Sequence, residues 1–126
     1  MHILPLIAGM LVLTAVSTVF AEPVTISGRV AYQEVVRLPD GAAATIRMLD
    51  GSGTTVAEAS VEDPGPPPIP FELLYDAGEI STGATYVLEA EIALEDRTLF
   101  RSPKPQPLKS PATSQQVSLI VRLVRD

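Results

Sequence analysis

Apolar and polar side chains alternate at every second position through several short stretches of the chain. In the first stretch, apolar Ile26, Val30 and Tyr32 are separated by polar or small residues. A period of two is typical of a β-strand that buries one face and exposes the other. The period recurs along the chain and predicts a common core. The residues predicted to be buried in it are Val30, Tyr32, Ile46, Phe71, Leu88, Ile92 and Val121.

The first two alternating stretches are separated by Leu38-Pro39-Asp40-Gly41. The ring of Pro39 fixes its φ angle, and Asp40 and Gly41 are residues that turns favour. We therefore interpret this segment as the connection between two strands. We expect the Leu38 side chain to fold back against the core.

Two proline-rich segments, residues 62–70 and residues 102–116, interrupt the alternation. Proline has no N–H to donate to a neighbouring strand, so it is confined to sheet edges, bulges and loops. We expect the first segment to be a rigid surface loop or an edge. The second is expected to be extended and irregular.

Strands account for most of the remaining chain. Residues 85–102 predict a hairpin that turns at Glu95 and Asp96. Residues 117–125 predict one last strand. No stretch beyond residue 21 keeps a helical period. About seven short strands separated by turns predict an all-β fold, an antiparallel β-sandwich. The buried face predicted for the last strand consists of Val117, Leu119, Val121 and Leu123.

Residues 1–21 differ from the rest because they contain no Asp, Glu, Lys or Arg. Their apolar run ends in Val19-Phe20-Ala21, which resembles a signal-peptidase site before Glu22. We expect a signal peptide at 1–21 and a single domain at 22–126, periplasmic or secreted after cleavage. The alternative is an uncleaved segment that anchors the protein in the inner membrane.

Composition excludes several classes of function. Nine Lys and Arg stand against fifteen Asp and Glu, which gives a net charge of −6. Nucleic-acid binding requires clustered cations, so we expect no nucleic-acid partner. The chain has no Cys, and its only His is His2. After cleavage the domain would lack thiol and imidazole groups, so we expect no catalytic triad, no cofactor and no metal site.

Carboxylates are the remaining candidates for chemistry. Glu89, Glu91 and Glu95 alternate along one strand face, about 7 Å apart for successive same-face positions. Two carboxyl groups at comparable separations hydrolyse glycosides, so a small-ligand or envelope-glycan module is an alternative function. An outward acidic strand face is more often only solvated and paired with Arg across strands. We therefore expect no enzymatic activity.

Contact with a partner is the function that the irregular segments favour. Loops carry binding residues more often than strands, and proline lowers the entropy that a loop loses on binding. The predicted partner contacts lie in the two segments described above. They are Leu38, Pro39, Asp40, Gly41, Pro66, Pro67 and Pro68.

The order and spacing of several short motifs resemble the YbaY/YscW family of small bacterial envelope lipoproteins. The motifs include a G-x-V-x-Y-x-E start, a Leu-Pro turn, a Pro-Ile-Pro-Phe strand start and a Leu-Phe hairpin return. They cover most of residues 24–102. The matching positions are Gly28, Val30, Tyr32, Glu34, Leu38, Pro39, Ala42, Leu49, Asp50, Pro68, Ile69, Pro70, Phe71, Tyr75, Asp76, Tyr86, Ala90, Ile92, Leu99 and Phe100.

The resemblance implies a periplasmic β-sandwich. For the type III secretion members it implies a pilotin or chaperone role, in which an outer-membrane secretin is helped to its membrane. This chain departs from the family in having no Cys, so we expect no lipid anchor. The resulting hypothesis is a non-catalytic, pilotin-like binding protein whose partner is an envelope protein client, secretin-like or other.

Overall fold

The computed structural model describes residues 22–124. The predicted signal peptide and its cleavage site lie outside the described residues, as do the last two residues of the predicted domain. No helix in residues 22–124 has the length and apolar character needed to cross a bilayer. The elements of this part of the chain are nine strands and one short 3₁₀ helix. In chain order they are β1 (Pro23–Ala31), β2 (Ala43–Leu49), β3 (Thr55–Glu62), β4 (Ile69–Asp76), the 3₁₀ helix (Ala77–Glu79), β5 (Val87–Leu94), β6 (Arg97–Arg101), β7 (Gln106–Pro107), β8 (Gln115–Ile120) and β9 (Arg122–Leu123).

The strands form two sheets that face each other. The smaller sheet has the order β4-β1-β8, and the larger has the order β3-β2-β5-β6-β9, with β7 also pairing with β5. Two strands, β7 and β9, have only two residues each. The other seven match the predicted number, so the all-β sandwich is confirmed. One pair of neighbouring strands is not antiparallel as predicted, since β8 runs parallel to β1.

The predicted last strand is divided between the two sheets. β8 belongs to the smaller sheet and β9 to the larger, and Val121 lies between them. The Val121 N–H donates to the Ala31 carbonyl at 2.9 Å. Leu119 and Val121 are buried as predicted, whereas Leu123 is exposed because it lies past the crossing. The prediction of one continuous strand with a single buried face was therefore wrong beyond Val121.

The core lies between the two sheets and is apolar. All seven residues predicted for it are buried: Val30, Tyr32, Ile46, Phe71, Leu88, Ile92 and Val121. The rings of Tyr32 and Phe100 pack with their centroids 4.4 Å apart, which joins the end of β1 to β6. Leu38 is partly buried against this core, as expected. The hairpin β5–β6 also has the predicted position, with Glu95 at its turn.

Gly28 allows three strands to approach closely. A β-carbon built at this position would lie 2.4 Å from the Val117 carbonyl oxygen and 2.9 Å from the ring of Phe71. Both distances are far below van der Waals contact. Glycine in the middle of β1 therefore leaves the space that the Phe71 ring and β8 occupy.

The second proline-rich segment is attached to the sandwich at two points. The buried hydroxyl of Tyr75 donates to the carbonyl of Pro111, and burial raises the pKa of Tyr75 to about 12. Leu108 is buried, and its N–H donates to the Tyr86 carbonyl at 2.9 Å. These contacts hold residues 102–114 against the body of the protein.

Truncation of Ile92 tests the core. Ile92 is fully buried, and Ile92→Ala should lower the free energy of unfolding by about 2–5 kcal/mol because it leaves a cavity. Ile120→Ala is the matched control, since Ile120 is 52% exposed and should change stability by no more than about 0.5 kcal/mol. Urea unfolding followed by circular dichroism measures both values. Equal losses for the two variants would contradict the assigned core.

Candidate functional site

The two segments predicted to contact a partner meet at one end of the sandwich. β1 ends in the smaller sheet and β2 begins in the larger sheet, so residues 32–42 cross between the sheets. Residues 63–68 cross in the opposite direction, from β3 to β4. The pairings Val30↔Ile69 and Ala43↔Glu62 place both crossings at the same end.

Between these crossings lies a groove of about 860 Å³, lined by residues 32–40 and residues 63–67. We call it the crossover groove. It contains five of the seven predicted contact residues. Those five are Leu38, Pro39, Asp40, Pro66 and Pro67. The other two, Gly41 and Pro68, are next to the lining residues in the chain.

Asp63 joins the two walls of the crossover groove, of which residues 32–40 form the first wall and residues 63–67 the second. Its carboxylate oxygen Oδ1 accepts a hydrogen bond from the Gly41 N–H at 3.0 Å. Its own N–H donates to the Ala42 carbonyl at 3.1 Å. Asp63 adopts a φ of +46°, a left-handed conformation that Asp tolerates better than most residues. The two bonds fix the spacing between the connection after β1 and the proline segment.

The turn inside the first wall explains why glycine occupies position 41. The Ala42 N–H donates to the Pro39 carbonyl at 3.2 Å, which closes the turn. Gly41 has a φ of +89°, where a β-carbon would be strained. The predicted role of Pro39, Asp40 and Gly41 as turn residues is therefore confirmed.

Glu34 holds the first wall against the larger sheet. Its oxygen Oε2 accepts a hydrogen bond from the Leu123 N–H at 3.2 Å, and this bond lowers the pKa of the Glu34 carboxyl. The next amide along, that of Val124, donates to the Leu99 carbonyl of the larger sheet. Alternate amides of a strand point to opposite sides. Glu34 therefore satisfies an edge donor of β9 that faces away from the sheet.

Exposed apolar side chains are concentrated at this end of the sandwich. Val35 is fully exposed and Val36 is 44% exposed, and both line the crossover groove. Ile120 and Leu123 are also exposed, and they flank the point where the chain crosses from β8 to β9. Within residues 22–124 the fifth large exposed apolar side chain, Leu74, lies on β4 opposite Thr25, near the other end. Exposed apolar side chains that form a contiguous patch are typical of interaction sites.

Sequence reasoning identified the turn and the prolines but not Val35, Val36 or Asp63. A signal for the valines was present, because two adjacent apolar residues cannot both face the core from one strand. Glu34 appeared only as one position of the family pattern. Its bond to Leu123 joins residues 89 positions apart, and no local pattern indicates it.

The acidic strand face does not form part of the crossover groove. Arg47 forms ion pairs with Glu58 at 2.9 Å and with Glu91 at 3.0 Å across three strands of the larger sheet. The Thr98 hydroxyl also donates to Glu91 at 3.3 Å. Glu91 is thus engaged in cross-strand pairing of the predicted kind, and Glu89 is beside it on the outer face of β5.

A family model and a solved structure that match this chain both come from bacterial secretion systems. The sequence model of a family described as the type III secretion system lipoprotein chaperone YscW matches residues 21–120. Among solved structures, an alternative pilotin from the type II secretion system of Vibrio cholerae is 26% identical to this chain. The match covers 82% of this chain and 99% of that chain, with a TM-score of 0.73. No curated protein matches this chain by sequence.

Substitution of Asp63 tests how the crossover groove is held open. Asp63→Ala removes the acceptor of the Gly41 N–H, so it should lower the free energy of unfolding by about 1 kcal/mol and speed hydrogen exchange at the Gly41 amide. Asp63→Asn keeps an acceptor oxygen and tolerates the left-handed conformation, so it should change the free energy of unfolding and the exchange rate of the Gly41 amide much less. NMR-detected hydrogen exchange measures the effect. An Ala variant in which the Gly41 amide stays as protected as in the wild type would show that Asp63 does not join the walls.

Proposed function

The chain belongs to the YscW family of type III secretion system lipoprotein chaperones, and from that premise we propose that it is a non-catalytic, pilotin-like chaperone that binds a secretin-like client in the crossover groove. A lipoprotein chaperone of a secretion system works in the cell envelope. We propose the periplasm as its compartment, reached by cleavage of the signal peptide before Glu22.

One observation carries this proposal. Two segments that are separate in the sequence converge on one groove, and that groove presents the fully exposed Val35 to solvent. An isolated exposed valine is common on protein surfaces. Here Val35 precedes Val36 in the chain and lines the same groove as Pro64, Pro66 and Pro67, so apolar side chains of a client would meet several apolar residues there.

The walls of the crossover groove are held in place before any client arrives. Asp63 bonds one wall to the other, and Glu34 bonds the first wall to β9. Pro64, Pro66 and Pro67 restrict the second wall further, because each fixes its own φ angle. A pre-organised groove loses less conformational entropy on binding, which favours affinity from a small contact area.

The distribution of charge supports a role without catalysis. No charged residue in residues 22–124 is buried as a whole; the Oε1 atom of Glu34 is buried, but the hydrogen bond from the Leu123 N–H lowers the pKa of this carboxyl. General acid–base catalysis uses groups whose pKa is shifted by a desolvated cleft. Glu91 forms an ion pair with Arg47 on the outer face of the larger sheet. A cross-strand ion pair of this kind stabilises the sheet modestly and does not require a bound substrate.

Charged substitutions at the exposed valines test the proposal. The full chain carries an affinity tag and is co-expressed with a secretin from the same bacterium, and the secretin that co-purifies is quantified. The double variant Val35→Asp, Val36→Asp should capture about tenfold less secretin, because burying the carboxylates against an apolar client is unfavourable.

Leu74→Asp is the matched control for this experiment. Leu74 is 51% exposed and lies outside the crossover groove, so its substitution should leave capture unchanged. Equal capture by the valine variant and the wild type would refute the groove as the client site. A glycan-cleaving activity that Glu89→Gln or Glu91→Gln abolishes would instead establish the alternative function.

A further inference from the structure

The crossover groove is acidic as well as apolar. Three carboxylates line it, those of Glu34, Asp40 and Asp63, and they stand against one guanidinium, that of Arg37. Asp40, Asp63 and Arg37 are exposed. A partner that enters the groove therefore meets apolar side chains and an excess of negative charge together.

The carboxylates are distributed over both walls. Asp40 belongs to the turn of the first wall, and Asp63 begins the second. Asp63 uses Oδ1 to bind the Gly41 N–H, so the negative charge of this carboxylate is fixed in position by the same bond that joins the walls. A carboxylate that is already held in one position loses less side-chain entropy when it pairs with a cation than a mobile carboxylate does.

We infer that the crossover groove selects a client segment in which Lys or Arg side chains accompany apolar ones, the apolar groups contacting Val35 and Val36 and the cations facing Asp40 and Asp63. This inference rests on the proposed function and adds the chemistry of the segment. Opposite charges across an interface steer encounter and fix register, and like charges exclude the wrong partner. An acidic segment of equal hydrophobicity is therefore rejected.

Two soluble synthetic peptides provide the test. They share the same Leu positions and differ only in that one carries Lys where the other carries Glu. Fluorescence anisotropy with the full chain at low salt should give a dissociation constant about tenfold lower for the Lys peptide. High salt should reduce that difference, because the ion pairs are near the surface.

Charge reversal in the groove separates local recognition from overall charge. Asp40→Lys should weaken binding of the Lys peptide by about fivefold and improve binding of the Glu peptide. Glu72→Lys changes the net charge of the protein by the same amount, but Glu72 is exposed on β4 outside the groove. It should leave the preference between the peptides within about twofold. Circular dichroism of both variants confirms that they fold, and Asp40→Asn gives a milder change at the same position.

The outcomes distinguish this inference from the function on which it rests. Equal affinity for both peptides, or equal effects of Asp40→Lys and Glu72→Lys, would overturn the inference. So would failure of both peptides to bind while the secretin still co-purifies, and the proposed function would then stand. If, in addition, the wild-type chain captured no secretin, both the inference and the proposed function would be overturned.

Discussion

The path of the chain between two sheets that share one apolar core is the constraint on which the rest of the structure depends. β1 and β4 are in one sheet and β2 and β3 in the other. Between β1 and β4 the chain must therefore pass from one sheet to the other twice, and the strand pairings place both crossings at the same end of the sandwich. The step from β8 to β9 is a third crossing at that end, next to Ala31. Segments that cross cannot also pair as strands, so the sandwich leaves irregular backbone and exposed apolar side chains there.

Different interactions stabilise the two parts of this arrangement. Buried aliphatic and aromatic side chains hold the sheets together, and their contribution scales with the apolar area removed from water. The crossings bury Tyr32, Ala42 and Val121 but expose most of their other side chains, and the hydrogen bonds of Asp63 and Glu34 hold them in place. The exposed positions of the crossings can therefore vary at little cost in stability, which makes this end of the fold suited to binding.

The buried strand faces and the first turn could be predicted because they depend on residues close together in the sequence. The alternation of apolar residues gave the buried faces, and Pro39, Asp40 and Gly41 gave the turn. The parallel pairing of β8 with β1 and the division of the last strand at Val121 could not be predicted, because each strand pattern is compatible with several partners and directions. The candidate site was half predictable for the same reason. Its two segments were chosen from their composition, but their meeting in one groove depends on pairings between distant residues.

This chain belongs to a family of secretion-system chaperones and is similar in fold to a type II pilotin, and both similarities motivate the proposed secretin-like client. The central claim is that the client occupies this groove. Hydrogen–deuterium exchange of the full chain, with and without bound secretin, tests it most directly. We expect protection to be gained in residues 33–38 and at the amides of residues 63 and 65. Protection confined to the edge of β4, or to the acidic face of β5, would contradict it.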